Sequence, residues 1–296
     1  MIPGVFTLAG LTIREAIRRR VFLAALVIAS LYALLAFLPL HIHTGFFVGL
    51  DIATARNNVG RILAWLGCGT IKFFGSILAV ALSAGAITSE IDRGILSVIV
   101  PKPIPRAAVY LGKWLGILTL LAVCVAGWGG LLVFAVWHQT GTYHPYIWGG
   151  IAAASLFPLL FTTLTLCFST LAAYALSSSM ALIAAGVALA EDLLHNLSLP
   201  TRLDVPMLDT LSHIAGYVAP LGRMNHWITR GLAATGIVGA APPGSAGLDL
   251  SLIAAQGDPT QAASVAATSG ADMAYILLYI GFFFILGLVL FQRRDL

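Results

Sequence analysis

The sequence predicts an all-α polytopic membrane protein with six transmembrane helices, preceded by an amphipathic helix. Two properties of the composition support this prediction: 59% of the 296 residues are hydrophobic, and only 9% are charged. An ordinary soluble domain carries about 25% charged residues, because they cover its surface. The third observation is a series of apolar runs of about 20 residues, the length that crosses the hydrocarbon core. These features exclude a soluble enzyme and a nucleic-acid-binding protein.

The first 20 residues predict a helix that lies along the membrane interface. Its apolar side chains recur at helical spacing, and its polar side chains form a separate stripe. A basic amphipathic helix before a span is attracted to anionic lipid headgroups. The alternative is a simple orientation anchor. The apolar stripe is Phe6, Ala9, Ile13 and Ile17, and the polar stripe is Thr7, Arg14 and Arg18.

Residues 21–296 form the predicted transmembrane domain. Each span is a run of about 20 residues in which charged residues, where present, lie toward one end. An even number of spans places both termini on the same side of the membrane. We place the six spans at residues 21–40, 69–89, 114–137, 146–171, 180–197 and 273–291.

The distribution of basic residues predicts that both termini are cytoplasmic. With this orientation, the inner segments hold ten basic and four acidic residues, and the outer segments hold six basic and eight acidic residues. Short cytoplasmic loops carry the excess of Lys and Arg in membrane proteins. Lys72 and Arg61 then fall near outer span ends, where we expect them to extend toward the outer headgroups.

The inner loop at residues 89–106 predicts a short helix at the cytoplasmic face. Ser89 and Asp92 resemble a capping box at its start. Three prolines end the helix, because proline cannot donate a backbone hydrogen bond. An apolar helix facing water indicates a partner that covers it; the alternative is an ordinary interfacial loop. The apolar residues are Ile91, Ile95 and Val98, and the prolines are Pro101, Pro103 and Pro105.

The outer segment at residues 198–272 is the longest connection. Its part from Met207 to Ile237 mixes apolar and charged residues, which suggests a re-entrant helical pair that turns at Pro220. Residues 231–271 are rich in Gly, Ala, Ser and Pro, a composition typical of a loop.

One polar group lies at the predicted outer end of span five. Glu191, Asp192 and His195 are either a helix end that meets water or a translocation-path or cation site. The sequence shows no metal motif, because its three cysteines are far apart and no dense Met or Cys-His pattern occurs. An intramembrane enzyme would need an acid, a base or a metal-binding group near the middle of a span, and the sequence places none there.

The inner loop and both ends of the chain resemble the permeases of ABC-2 type transporters. The loop carries Glu90, Gly94, Pro103, Arg106 and the pair Gly112-Lys113 in the order typical of that family. Residues 12–20 resemble the elbow helix of these permeases, and residues 291–295 resemble their basic C-terminal segment after the sixth span. The general layout is similar to permeases of the nitrous-oxide-reductase maturation type.

The resemblance implies a type V exporter fold, in which residues 89–106 form the coupling helix that contacts an ATPase. The implied partners are two copies of an ABC ATPase subunit, a second permease copy or a sibling permease, and membrane lipids. ATP and Mg²⁺ belong to the partner, since this chain lacks G-x-x-x-x-G-K-[ST] and therefore needs no cofactor or metal of its own. The implied coupling residues are Glu90, Arg93, Gly94, Ile95, Pro103, Arg106 and Lys113.

Small residues in spans two and five are candidates for a path between two permease chains. Small side chains allow helices to approach closely, and in the family these spans line the dimer axis. The alternative is packing within one chain. The positions are Gly75, Ala79 and Ser83 in span two, and Ala181 and Ala185 in span five.

The combined prediction is the membrane subunit of an ATP-driven exporter in a bacterial or archaeal cytoplasmic membrane. The alternative is a non-transporting structural or maturation subunit of an ABC assembly, including one that handles copper. The transported substrate cannot be read from the sequence.

Overall fold

A computed structural model describes residues 2–18, 27, 31, 52–84, 86–87, 105–171, 179, 220–233 and 270–293. Regular structure in these residues is helical, without a β-strand. Predicted span one, apart from residues 27 and 31, and predicted span five lie outside the described residues. So do residues 88–104 of the inner loop. The helices are α1 (Ile2–Arg18), α2 (Ile52–Ser83), α3 (Arg106–Thr140), α4 (Ile147–Leu171), α5 (Leu221–Ala233) and α6 (Gly270–Arg293).

Four helices in the described part of the chain are long and apolar enough to cross a membrane. They confirm spans two, three, four and six as helices, with different ends. Span two was expected at 69–89, but α2 runs from Ile52 to Ser83 and its apolar segment begins at Leu63, because the apolar residues before Gly69 also belong to the span. The apolar segments are Leu63–Ser83, Arg106–Thr140, Ile147–Leu171 and Gly270–Arg293.

Helix α3 is the longest, and its ends follow simple backbone rules. Pro105 precedes it in an extended conformation, which suits a residue that lacks a backbone N–H. Gly141 ends it with φ 74°, and its N–H donates to the carbonyl oxygen of Trp137. Its 35 residues span about 50 Å at 1.5 Å per residue, more than the hydrocarbon thickness of about 30 Å.

Helix α4 lies at the centre of the described bundle and packs against α2, α3, α5 and α6. Its composition explains this place, since it is apolar on all sides and combines small residues with large ones. Pro158 sits inside the helix and meets Gly75 of α2, where an added Cβ would lie 3.3 Å from the proline ring. Helix α6 leaves most of its apolar surface exposed, as expected for a helix that faces lipid.

Helix α1 packs on α3 through small residues. A Cβ at Gly116 would lie 2.8 Å from the carbonyl oxygen of Ala9 and 2.9 Å from the Thr12 side chain. The predicted apolar stripe is therefore divided: Ala9 is buried, whereas Phe6 is 68% exposed and Ile17 is 47% exposed. Ile13, between these positions, packs against the core, so the middle of the stripe faces the bundle and its two ends remain available to lipid.

Helix α5 forms within the long outer segment, directly after Pro220 as predicted. The other half of the proposed helical pair lies outside the described residues. A Cβ at Gly231 would lie 2.5 Å from the backbone nitrogen of Gly150 and 2.7 Å from the carbonyl carbon of Gly149, so α5 and α4 cross backbone to backbone. The face toward α4 consists of Leu221, Met224, Ile228 and Leu232, all buried.

Candidate functional site

Four helix ends meet at one end of the bundle, where the chain enters and leaves the inner loop. Ser169 near the end of α4 donates from Oγ to the carbonyl oxygen of Ala84, at 3.1 Å. Lys113 in α3 donates from Nζ to the carbonyl oxygen of Ala86. Carbonyl groups at a helix C-terminus lack intrahelical donors, and a cation there also interacts favourably with the helix dipole. Side chains of two other helices therefore hold the chain where it leaves α2.

The chain returns from the loop at the start of α3, and this point is tied to α6. The Arg106 guanidinium donates through Nη1 to the carbonyl oxygen of Gln292, at 3.3 Å. The Ala108 N–H donates to the carbonyl oxygen of Pro105, at 2.8 Å. Both ends of the inner loop are thus attached to the helical bundle.

Aromatic side chains pack the first turns of α3 against α6. The Tyr110 ring lies 5.7 Å from the Phe284 ring and 6.2 Å from the Phe291 ring, and the Trp114 ring lies 4.7 Å from Phe284. A Cβ at Gly287 would lie 3.1 Å from the Cα of Cys167 and would also collide with the Tyr110 hydroxyl. Glycine is required there because α3, α4 and α6 converge.

Two of the predicted coupling residues belong to this region. Arg106 lies at the end of the loop, as expected. Lys113 is only 6% exposed, so its side chain contacts the interior of its own chain. It lies two turns inside α3, where the neighbouring helices cover it. The remaining predicted coupling residues, Glu90, Arg93, Gly94, Ile95 and Pro103, lie outside the described residues.

The small-residue face of α2 is occupied within the chain. Ala79 and Ser83 are completely buried, and Gly75 meets Pro158. This placement favours the second alternative left open by the sequence, close packing of α2 on α4. The physical reason is that small side chains permit the contact with the centrally placed α4. The span-five candidates, Ala181 and Ala185, lie outside the described residues.

Lys72 forms a polar contact in the interior of the bundle. Its Nζ donates to Oδ1 of Asn225 at 3.1 Å and lies 5.2 Å from the centre of the Phe157 ring. It stands nine residues after the start and eleven before the end of the segment Leu63–Ser83, so it is midway along the span. The expectation that Lys72 extends to the outer headgroups is wrong, because α5 brings Asn225 to it.

Sequence reasoning missed the Lys72–Asn225 contact because it placed the start of span two too late. Because the apolar segment begins at Leu63 and not at Gly69, Lys72 lies in the middle of the span and not at its end. One signal was available: Asn225 interrupts a face of α5 on which Leu221, Met224 and Ile228 are apolar. A buried amide on such a face needs a partner.

A charged residue of α5 also contacts the first turns of α6. The Arg223 guanidinium lies 3.8 Å from the carboxylate of Asp272 and 4.3 Å from the centre of the Tyr275 ring. Arg230 lies over the Trp227 ring at 5.0 Å. Partly exposed contacts of this kind contribute little to stability.

In the portion of the chain that the structure describes, no three His, Cys, Asp or Glu side chains form a metal-binding group. The predicted outer polar group, Glu191, Asp192 and His195, falls outside that portion.

The bundle and its attached inner loop define an α-helical integral membrane protein. The family model described as ABC-2 family transporter protein matches residues 6–296. The chain therefore belongs to the ABC-2 transporter family, whose members are permease subunits of ABC transporters, and membership of this family implies an ABC ATPase subunit as partner. Among proteins with curated descriptions, none matches this chain.

Proposed function

We propose that this permease is the six-span membrane half of an exporter and that residues 89–106 receive its ATPase subunit. The complex contains two ATPase copies and a second permease, either another copy of this chain or a sibling. ATP and Mg²⁺ act in the ATPase, and this chain supplies the path and the coupling segment. The complex lies in the cytoplasmic membrane of a bacterium or an archaeon, with both termini inside the cell.

The attachment of both loop ends to the bundle is the observation that carries this proposal. Lys113 and Ser169 hold the chain before the loop, and Arg106 holds the chain after it. A free surface loop needs no such attachments. A segment that receives force from a partner needs attachments to the bundle, because force reaches the helices only through contacts that resist it.

The directions of the helices support six spans. Helices α2, α4 and α6 all end, and α3 begins, at the end of the bundle that carries these attachments. Because α4 and α6 run in the same direction, an odd number of crossings must separate them. This parity supports the proposed fifth span, which would carry the path-lining candidates Ala181 and Ala185 and the outer polar group Glu191, Asp192 and His195.

Docking is tested by Ile95→Glu in the full complex. A carboxylate on the apolar face of the coupling helix should release the ATPase, because burying an unpaired charge costs several kcal/mol. Ile95→Leu is the matched control and should retain the ATPase. The measurements are co-purification of the ATPase and the ATP hydrolysis rate of the reconstituted complex. Equal ATPase retention by both variants contradicts the docking assignment.

Orientation and direction need separate tests. A cysteine at position 245 should react with a membrane-impermeant maleimide on intact cells, and one at position 292 should not; the opposite pattern refutes the topology. For export, inside-out vesicles should take up substrate in the presence of ATP. Comparing the small molecules retained by such vesicles with and without ATP identifies the substrate, and retention that ATP does not change contradicts export.

A further inference from the structure

Lys113 is a charged side chain where packing alone would favour an apolar one. It is 94% buried, since only 6% of its surface is exposed. Moving an ammonium group out of water costs several kcal/mol unless good contacts compensate. A methionine of similar length would fill the space without that cost. The polar group is therefore retained for what it binds, and the carbonyl oxygen of Ala86 is one such partner.

The carbonyl oxygen of Ala86 lies at the entrance to the coupling segment. Helix α2 ends at Ser83, and the Ala86 N–H still donates to the Ser83 carbonyl oxygen at 3.1 Å. The Ala84 carbonyl oxygen, two residues earlier, accepts from Ser169, a fully buried side chain of α4. Two buried donors from two helices thus hold successive points of the chain just before residue 88.

We propose that Lys113 and Ser169 act as an exit clamp, which makes the coupling segment move together with α3 and α4. The term denotes these two side chains and the carbonyl groups of Ala84 and Ala86 that they bind. Both are positioning residues: neither touches the ATPase. This inference rests on the proposed function and assigns the residues through which displacement of the loop reaches the bundle.

The length of α3 determines where in the bundle a displacement of the coupling segment can be detected. The helix runs without interruption from Arg106 to Thr140, about 50 Å. A continuous helix transmits a shift at one end to the other as a rigid element. The turn at residues 141–146, which connects α3 to α4 at the outer end of the bundle, is therefore the place to detect it.

The test uses the full complex with its ATPase, reconstituted in lipid nanodiscs. A fluorophore that responds to its environment is attached at Tyr143→Cys, an exposed position of the outer turn, with the three native cysteines replaced by alanine. The variants are Lys113→Met, which removes the charge, Lys113→Arg, which retains charge and donors, and Ser169→Ala. Thr162→Val is the matched control, because Thr162 is buried but binds only its own helix.

We expect ATP to change the fluorescence in the parent protein, in Lys113→Arg and in Thr162→Val. In Lys113→Met the change should be reduced at least severalfold, with the ATPase still bound. Amide hydrogen exchange at residues 84–87 should accelerate about tenfold or more in this variant, because a hydrogen bond to a charged group contributes about 1.5–3 kcal/mol. Ser169→Ala should have a smaller effect in the same direction.

Two negative results have different meanings. If Lys113→Met responds to ATP as fully as Thr162→Val does, the exit clamp is refuted and the proposed function stands. If the ATPase does not bind the parent protein through residues 89–106, the proposed function fails, and the clamp's role in transmission fails with it. Loss of the response in Lys113→Arg as well as in Thr162→Val also refutes the clamp, because it indicates general disruption of the bundle.

Discussion

A methyl group added at Gly231 should destabilise the protein, although alanine is the better helix former. Its Cβ would lie 2.5 Å from the backbone nitrogen of Gly150, 2.7 Å from the carbonyl carbon of Gly149 and 2.8 Å from the Gly150 Cα. All three atoms belong to the backbone of α4, which cannot rotate away as a side chain can. Gly231→Ala therefore requires α5 to move as a whole.

The magnitude follows from two opposing terms. Replacing glycine by alanine inside a helix gains about 0.5–1 kcal/mol. Overpacking that shifts a backbone costs about 1–3 kcal/mol and occasionally more. With contacts this short, the cost lies at the upper end of its range, so we expect a net loss of about 2–2.5 kcal/mol in the free energy of unfolding.

Gly127→Ala is the matched control. It adds the same methyl group to a transmembrane helix, but no atom lies within 4 Å of the added Cβ. This variant should gain about 0.5–1 kcal/mol. Equilibrium unfolding in mixed detergent micelles measures both variants, and the two should differ in sign.

The reasoning is refuted if Gly231→Ala is as stable as Gly127→Ala, since α5 would then not cross α4 backbone to backbone. A shift of α5 should also separate Asn225 from Lys72, because both contacts depend on the same helix. Crosslinking of cysteines at these two positions with bifunctional maleimides of different lengths measures that separation, because a lysine and an asparagine that meet at their side-chain ends have Cα atoms too far apart for a direct disulfide.

Two further predictions concern the interior of the bundle. Asn225→Leu should lower the free energy of unfolding by about 1.5–3 kcal/mol, which is more than the loss expected for Lys72→Met. The reason is that Asn225→Leu leaves an ammonium group without its amide partner, whereas Lys72→Met leaves only a neutral amide. Equal losses of the two variants in the detergent assay would contradict this prediction. Ala79→Cys should resist a lipid-soluble maleimide, because Ala79 is completely buried, whereas Phe73→Cys, on the exposed face of the same helix, should react. Rapid labelling at both positions would show that the α2–α4 contact is not formed.

The sequence by itself determined that this is a membrane protein and that four of its apolar runs are spanning helices, although it placed the start of one of them too late. Hydropathy is a local property, since each apolar side chain favours lipid whatever its neighbours are. The start of α3 after Pro105 and the start of α5 after Pro220 were also readable locally, because proline restricts the backbone on its own. The family resemblance came from the order of residues in one loop, which needs no tertiary contact either.

Only the tertiary structure decided which surfaces meet. Lys72 and Asn225 are 153 residues apart, and no local pattern relates them. In lipid, apolar faces do not distinguish core from surface, so an amphipathic pattern cannot show which side of a span packs inward. The family resemblance implied a coupling role for Lys113 but did not show that its side chain is buried. Its burial depends on α2 and α4 converging on α3, which is a property of the assembled bundle.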